Sequence, residues 1–239
     1  MPGPCQRLRL PSLVTVMRSP KGECSPVRRK EHHRVVMMGA ARVGKSSIIS
    51  QFLYDKYLAR YRQTVEELHR GEYELPDGAA LTLDILDTSG AYQFPAMRAL
   101  SISTGGAFIL VFSVDEEESW KEVERLREQI IEARGYRVPI VIVANKADIK
   151  QPDRKMSREL TESIATVDWE CGYVEASAKD NTGIVDVFKE LLAQAKIRYN
   201  LSPAVRRRRQ SLPSYGSQQN GRGSTTPKHS LKRHSCTVA

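Results

Sequence analysis

The sequence predicts an α/β domain, a mostly parallel sheet with helices on both faces. Three observations predict it. Apolar runs of strand length alternate with segments whose apolar residues recur at helical spacing. One run, Pro139-Ile140-Val141-Ile142-Val143-Ala144, is continuously apolar, as a strand buried on both faces is. A loop bounded by Gly39 and Gly44 separates the first strand from the first helix.

The elements follow in order. Arg34-Val35-Val36-Met37-Met38 is a short apolar strand, and Ile48, Ile49, Phe52 and Leu53 place a helix after Lys45. Leu68–Leu75 and Ala79–Leu86 flank Pro76-Asp77-Gly78, which makes them a hairpin. Phe108–Val114 is another apolar strand. Ser119–Ala133 has helical spacing through Trp120, Val123, Leu126, Ile130 and Ile131. After the run at Pro139–Ala144 come a short strand, Tyr173-Val174-Glu175-Ala176, and a last helix, Gly183–Tyr199. Ile184, Val187, Phe188, Leu191 and Leu192 form that helix's apolar face. Core packing accounts for these apolar residues.

Four motifs sit at the ends of these strands. Gly39-Ala40-Ala41-Arg42-Val43-Gly44-Lys45-Ser46 fits the Walker A pattern at the strand-to-helix turn that supports it, with Ser47 next. Its backbone N–H groups and the helix N-terminus would face phosphates. Lys45 would reach the β- and γ-phosphates, and Ser46 would offer its hydroxyl to Mg²⁺. Asp87-Thr88-Ser89-Gly90 is a metal-proximal DxxG motif. Asn145-Lys146-Ala147-Asp148 follows the apolar run at its carboxyl end, the sheet edge where ligands of open α/β sheets bind. A carboxylate there, Asp148, accepts from both the ring N–H and the exocyclic amine of guanine, a donor pair that adenine lacks. Asn145 would bond the purine edge and neighbouring loops, and the stem of Lys146 would lie over the ring. Ser177-Ala178-Lys179 ends the next strand, where the Ala178 N–H would meet the guanine carbonyl. Tyr57 is the candidate to stack on the other face of the base. Walker A alone indicates a nucleoside triphosphate; the set indicates guanine and a switch.

In this order and spacing the motifs resemble those of a Ras-type small GTPase over roughly residues 33–200, the size of one domain. The resemblance implies a P-loop NTPase G domain with a six-stranded sheet, GTP/GDP and Mg²⁺ as cofactors, and GTP hydrolysis. It implies that Thr64, between the first two motifs, ligates Mg²⁺ by its hydroxyl and touches the γ-phosphate by its N–H. Gly90 would make a second γ-phosphate contact, Asp87 would hold the metal through water, and Thr64, Gly90 and Lys45 would be the catalytic set. Effectors would bind residues 60–69 and the switch at residues 90–100, and an exchange factor and a GAP would act on a monomer. The single Cys near the C-terminus argues against Rab, the short stretch from Asp148 to Ser177 against a Rho-type insert, and the lack of Gly at position 2 against Arf. The stretch DTSGAYQFPAMRALSISTGGAFILVFSVD is most similar to the Dexras/Rhes and Ras-dva relatives.

The chain also departs from the family pattern. Arg62 stands where an acidic residue is common and Gln63 where proline is, so partners would differ. Ala91 follows Gly90 where a glutamine usually orients the attacking water. Alanine has no group for that task, and Gln93 is two residues on. Ala41 and Arg42 replace common glycines, and a Cβ at Ala41 crowds the entry of a trans-acting arginine. Slow hydrolysis and a poor response to Ras-type GAPs are expected. The alternative is a nucleotide-locked GTP-binding adaptor with negligible hydrolysis.

Charge divides the chain further. Residues 1–31 carry seven Lys/Arg and two Glu, and residues 201–239 carry eight Lys/Arg and no acid. Residues 32–200 hold 22 basic and 26 acidic residues, so the basic excess behind the net charge of +9 lies entirely on the two arms. Both arms read as flexible, the first through its prolines and the second through its Ser, Gly and Gln content, and they flank a G domain at 32–200. No RNA-binding signature accompanies Arg206–Arg209, so nucleic acid is not expected. Cys236-Thr237-Val238-Ala239 fits a prenylation box, in which a terminal Ala favours farnesyl, with methylation to follow. One lipid holds weakly, and the basic tail would supply a second signal on an anionic membrane. The expected place is the cytoplasmic face of the plasma membrane, with a cytosolic or nuclear pool. Cys5, Cys24 and Cys171 show no metal spacing, no apolar run is long enough to span a membrane, and no signal peptide is present.

Overall fold

The computed structural model describes residues 30–74, 80–90 and 95–196. The turn Pro76-Asp77-Gly78, Ala91, Gln93, residues 1–29 of the N-terminal arm, the whole C-terminal arm with Cys236, and the final turn expected at Ile197–Tyr199 lie outside the described residues.

Six strands form one sheet in the order β2-β3-β1-β4-β5-β6. They are β1 (Lys30–Met38), β2 (Glu66–Glu74), β3 (Ala80–Thr88), β4 (Ala107–Ser113), β5 (Ile140–Asn145) and β6 (Gly172–Glu175). Only β2 and β3 pair antiparallel; β1 pairs parallel with both β3 and β4. The chain therefore leaves β1 for both halves of the sheet, and the crevice at its carboxyl end is the topological switch point where such sheets bind ligands.

Side chains alternate along β1 as the pleat requires. Val35 and Met37 enter one core cluster, and Val36 and Met38 enter the other. Against the first pack α1 (Lys45–Tyr54) and α5 (Ile184–Gln194); the second is covered by α3 (Glu117–Arg134) and carries Ile102 from α2 (Pro95–Thr104). Phe52 of α1 stacks on Phe188 of α5 with centroids 3.7 Å apart. Both rings are fully buried. Phe188→Ala is expected to cost about 3–5 kcal/mol in urea unfolding of the nucleotide-loaded chain, because the stack leaves a cavity that α1 cannot collapse into.

The strand and helix pattern expected from sequence is present, with three differences. β1 begins at Lys30 rather than Arg34. Its first residues pair only with β3, since pairing with β4 starts at Val35, so polar side chains are tolerated there. α2 was not expected, because it buries only Ser101 and Ile102 and so lacks an apolar stripe; Pro95 at its first position was the available signal. The segment between β5 and β6 contains α4 (Arg158–Ser163), which Ser157 caps by accepting from the Leu160 N–H, and a π-helical turn, Ile164–Asp168. The π turn sets Trp169 parallel to Trp120 at 5.2 Å. Cys171 is a core thiol whose pKa burial pushes up, as expected of an inert cysteine.

Candidate functional site

The phosphate-loop candidates occupy the turn between β1 and α1. Gly39 has φ 140° and Gly44 φ 97°, which glycine adopts readily. At Gly39 a Cβ would lie 2.1 Å from the Val111 carbonyl oxygen, and at Gly44 it would lie 2.3 Å from Asn145 Nδ2. These two glycines let the loop lie against β4 and β5. Val43 is fully buried beneath it. Ala40 packs on the core, Arg42 is exposed, and Ser47 lies in the first turn of α1.

Lys45 folds back over the loop and donates to the carbonyls of Gly39 (2.9 Å) and Ala40 (2.8 Å). Burial drives its pKa down to about 8, against the pull of Asp87 and Glu122. Ser46 donates to Asp87 Oδ2 at 2.5 Å, and its oxygen lies 3.0 Å from the Thr64 hydroxyl. Three segments far apart in the chain thus converge on one point. Asp87 is almost wholly buried, and its other oxygen, Oδ1, has no hydrogen-bond partner among the described residues. Burial pushes this carboxyl's pKa up, opposed by the Ser46 hydroxyl and the Lys45 charge. The two buried charges therefore ask for opposite partners, a cation for Asp87 and an anion for Lys45. Two hydroxyls and a carboxylate are hard oxygen donors of the kind Mg²⁺ takes, and a magnesium–phosphate pair meets both demands. Gly90 lies flush against the loop, where a Cβ would stand 2.3 Å from the Ala41 nitrogen and 2.5 Å from its Cα.

The second cluster lies at the ends of β5 and β6. Asn145 is buried and ties the two halves of the site together. Its Nδ2 donates to the Val43 carbonyl (2.7 Å), and its Oδ1 accepts from the Ala178 N–H (3.2 Å). These are the bonds to neighbouring loops that the sequence leads one to expect of Asn145. Asn145→Ala would leave a buried carbonyl and a buried N–H without partners, and is expected to cost roughly 1–3 kcal/mol for each in unfolding measurements. Asp148 is oriented by Ser177, which donates to Oδ1 at 2.6 Å, with Lys179 Nζ 3.5 Å from Oδ2. Lys146 takes a left-handed backbone (φ 64°) and sends its ammonium to both oxygens of Asp115 at 3.3 Å. Tyr57 is not drawn into this cluster. It is 43% exposed, with no ring contact among the described residues. Exposure here follows from the loop 55–65, which lies outside regular structure.

Two supporting residues escaped the sequence reading. Gln51 on α1 donates to the Ala178 carbonyl at 2.6 Å, and Asp115 aligns Lys146. A polar residue between Ile48 and Phe52 on a core-facing helix was the signal for Gln51; nothing local to Asp115 pointed to Lys146. Among the described residues no group of three or more His, Cys, Asp or Glu is placed to hold a metal.

Comparisons agree with this geometry. The Ras family model matches residues 34–197. The GTP-binding protein Rhes of Homo sapiens is 43% identical over 197 residues, covering 78% of this chain and 74% of that protein. The GTP-binding protein Di-Ras2 of Mus musculus is 40% identical over 168 residues, covering 70% and 83%. The GTP-binding protein drn-1 of Caenorhabditis elegans is 40% identical over 169 residues, covering 70% and 76%. With a family match over most of its length and relatives at this identity, the chain belongs to the Ras family of small GTPases, proteins that bind GTP and GDP with Mg²⁺.

Proposed function

We propose that this protein is a membrane-anchored signalling switch that hydrolyses GTP slowly. The observation that carries the switch is the convergence of Ser46, Thr64 and Asp87 on one buried point beside Lys45. Thr64 belongs to a loop with an exposed surface, so whatever holds its hydroxyl also sets that loop. The proposed roles are these. Backbone N–H groups from Gly39 to Ser47 cradle the phosphates, and Lys45 bonds the β- and γ-phosphates. Ser46 and Thr64 supply hydroxyl ligands, and Asp87 holds the metal through water. When bound, Mg²⁺ neutralises charge on the phosphate oxygens. Gly90 and Thr64 offer N–H groups to the γ-phosphate. Asp148, fixed by Ser177, accepts from the guanine N–H groups, while Lys146 covers the ring and Ala178 offers its N–H to the guanine carbonyl. Residues 60–69 and 90–100 form the surface that effectors read.

Slow turnover rests on Ala91 and Ala41. An alanine after Gly90 cannot align water through its side chain. A Cβ at Ala41, where glycine is common, crowds the entry of a trans-acting arginine. The same two alanines point partway to a second reading, a GTP-locked adaptor set by exchange and abundance rather than by hydrolysis.

The anchor is proposed at Cys236, with the Lys232, Arg233 and Arg206–Arg209 charges holding an anionic cytoplasmic leaflet. Membrane fractionation of cells expressing Cys236→Ser tests it. Wild type is expected in the membrane fraction, at the plasma membrane, and the variant in the soluble fraction. A wild-type protein as soluble or nuclear as the variant would contradict the anchor.

A further inference from the structure

Arg42 holds a backbone that its side chain does not favour. Its φ is 63°, in the left-handed region, within the loop where Gly39 and Gly44 take their own positive φ values. A residue with a Cβ pays for this conformation where glycine does not. Such residues persist where the surroundings hold them, and they cluster at ligand clamps and switches. Among the described residues the Arg42 guanidinium pairs with no carboxylate. It lies over the ring of Tyr61 instead, 5.0 Å from its centroid, and Tyr61 remains 54% exposed. Tyr61 is three residues before Thr64, whose hydroxyl lies 3.0 Å from Ser46. One arginine thus ties the phosphate loop to the segment that carries Thr64.

We infer that Arg42 is a positioning residue for guanine-nucleotide retention: its contact with Tyr61 clasps the Tyr61–Thr64 segment over the phosphate loop and slows nucleotide release. The inference rests on the nucleotide reading of this site. On that reading, phosphates cradled by the loop would be covered by that segment, and release would require the segment to lift and the contact to break. A guanidinium–aromatic contact at an exposed site changes such an equilibrium by about two- to fivefold. The contact is attractive to an aromatic face and does not need the tyrosine hydroxyl.

The test is release of a fluorescently labelled GDP from the full chain, with Mg²⁺ and excess unlabelled GDP. Arg42→Gly and Tyr61→Ala are each expected to release it about two- to fivefold faster. The double variant is expected to be no faster than the faster single one, because both remove the same contact. Tyr61→Phe, which keeps the ring, is expected to restore the slow rate. Arg42→Gly relieves the left-handed strain, so its unfolding midpoint in urea is expected not to fall, which separates a clasp from a merely structural role. A wild-type rate for Arg42→Gly would overturn the inference. So would multiplicative effects in the double variant, or fast release from Tyr61→Phe. Failure of the wild-type chain to take up labelled GDP would overturn the nucleotide reading itself, and the clasp with it.

Discussion

Asp148→Asn is expected to lower affinity for GDP by at least about 10²-fold and to make xanthosine diphosphate the preferred ligand. Guanine presents a ring N–H and an exocyclic amine side by side. A carboxylate accepts from both. A carboxamide accepts from one and sets its own N–H groups against the other, leaving two buried donors without acceptors. Xanthine carries a carbonyl in place of the amine, so the asparagine's amide can pair with it. The fixed orientation of Asp148 makes the effect large, because Ser177 at 2.6 Å and Lys179 at 3.5 Å hold the carboxylate from behind. Displacement titration with the labelled nucleotide reads it. Unchanged GDP affinity would place the base elsewhere.

Ala91→Gln is expected to raise single-turnover GTP hydrolysis by the full chain on the order of ten- to a hundredfold, with little change in nucleotide affinity. The loss proposed for the wild type would concern only the orientation of water, which affects the transition state and not the bound ground state. A mutation of that kind moves the rate and spares binding. Adding Ala41→Gly to Ala91→Gln is expected to restore response to a trans-acting arginine, an effect worth roughly 10³–10⁵ where such a finger operates. If the wild type already turns over as fast as Ala91→Gln, another group positions the water, and a conventional cycle replaces the slow one.

The sequence was most informative where the chemistry is local. Gly39, Gly44, Lys45 and Ser46 lie within one short stretch, so their spacing alone places them on a strand–turn–helix unit, and the structure puts the loop between β1 and α1. Asn145 and Asp148 were legible because β5 is apolar up to Ala144 and ends on Asn145, the first residue of the motif. Less legible were features made by distant pairs. The bond from Lys146 to Asp115 joins residues far apart in sequence, and no periodicity announces it. Residues with mixed burial were also obscure: α2 buries a serine and an isoleucine and otherwise faces outward. Arg42 was legible as a departure from glycine, but its left-handed backbone and its contact with Tyr61 depend on how the loop meets the segment before Thr64. Tyr57, chosen for its aromatic ring, lies in an exposed loop because loop conformation has no sequence period to read.

The most direct test of the account is the nucleotide that the protein carries in cells. The full chain, isolated rapidly from its cells in Mg²⁺ buffer and denatured, can be assayed for bound nucleotide by chromatography. The account predicts close to one guanine nucleotide per chain, with GTP in excess over GDP. Adenine nucleotide or none would contradict the guanine site, and GDP in large excess would contradict slow hydrolysis.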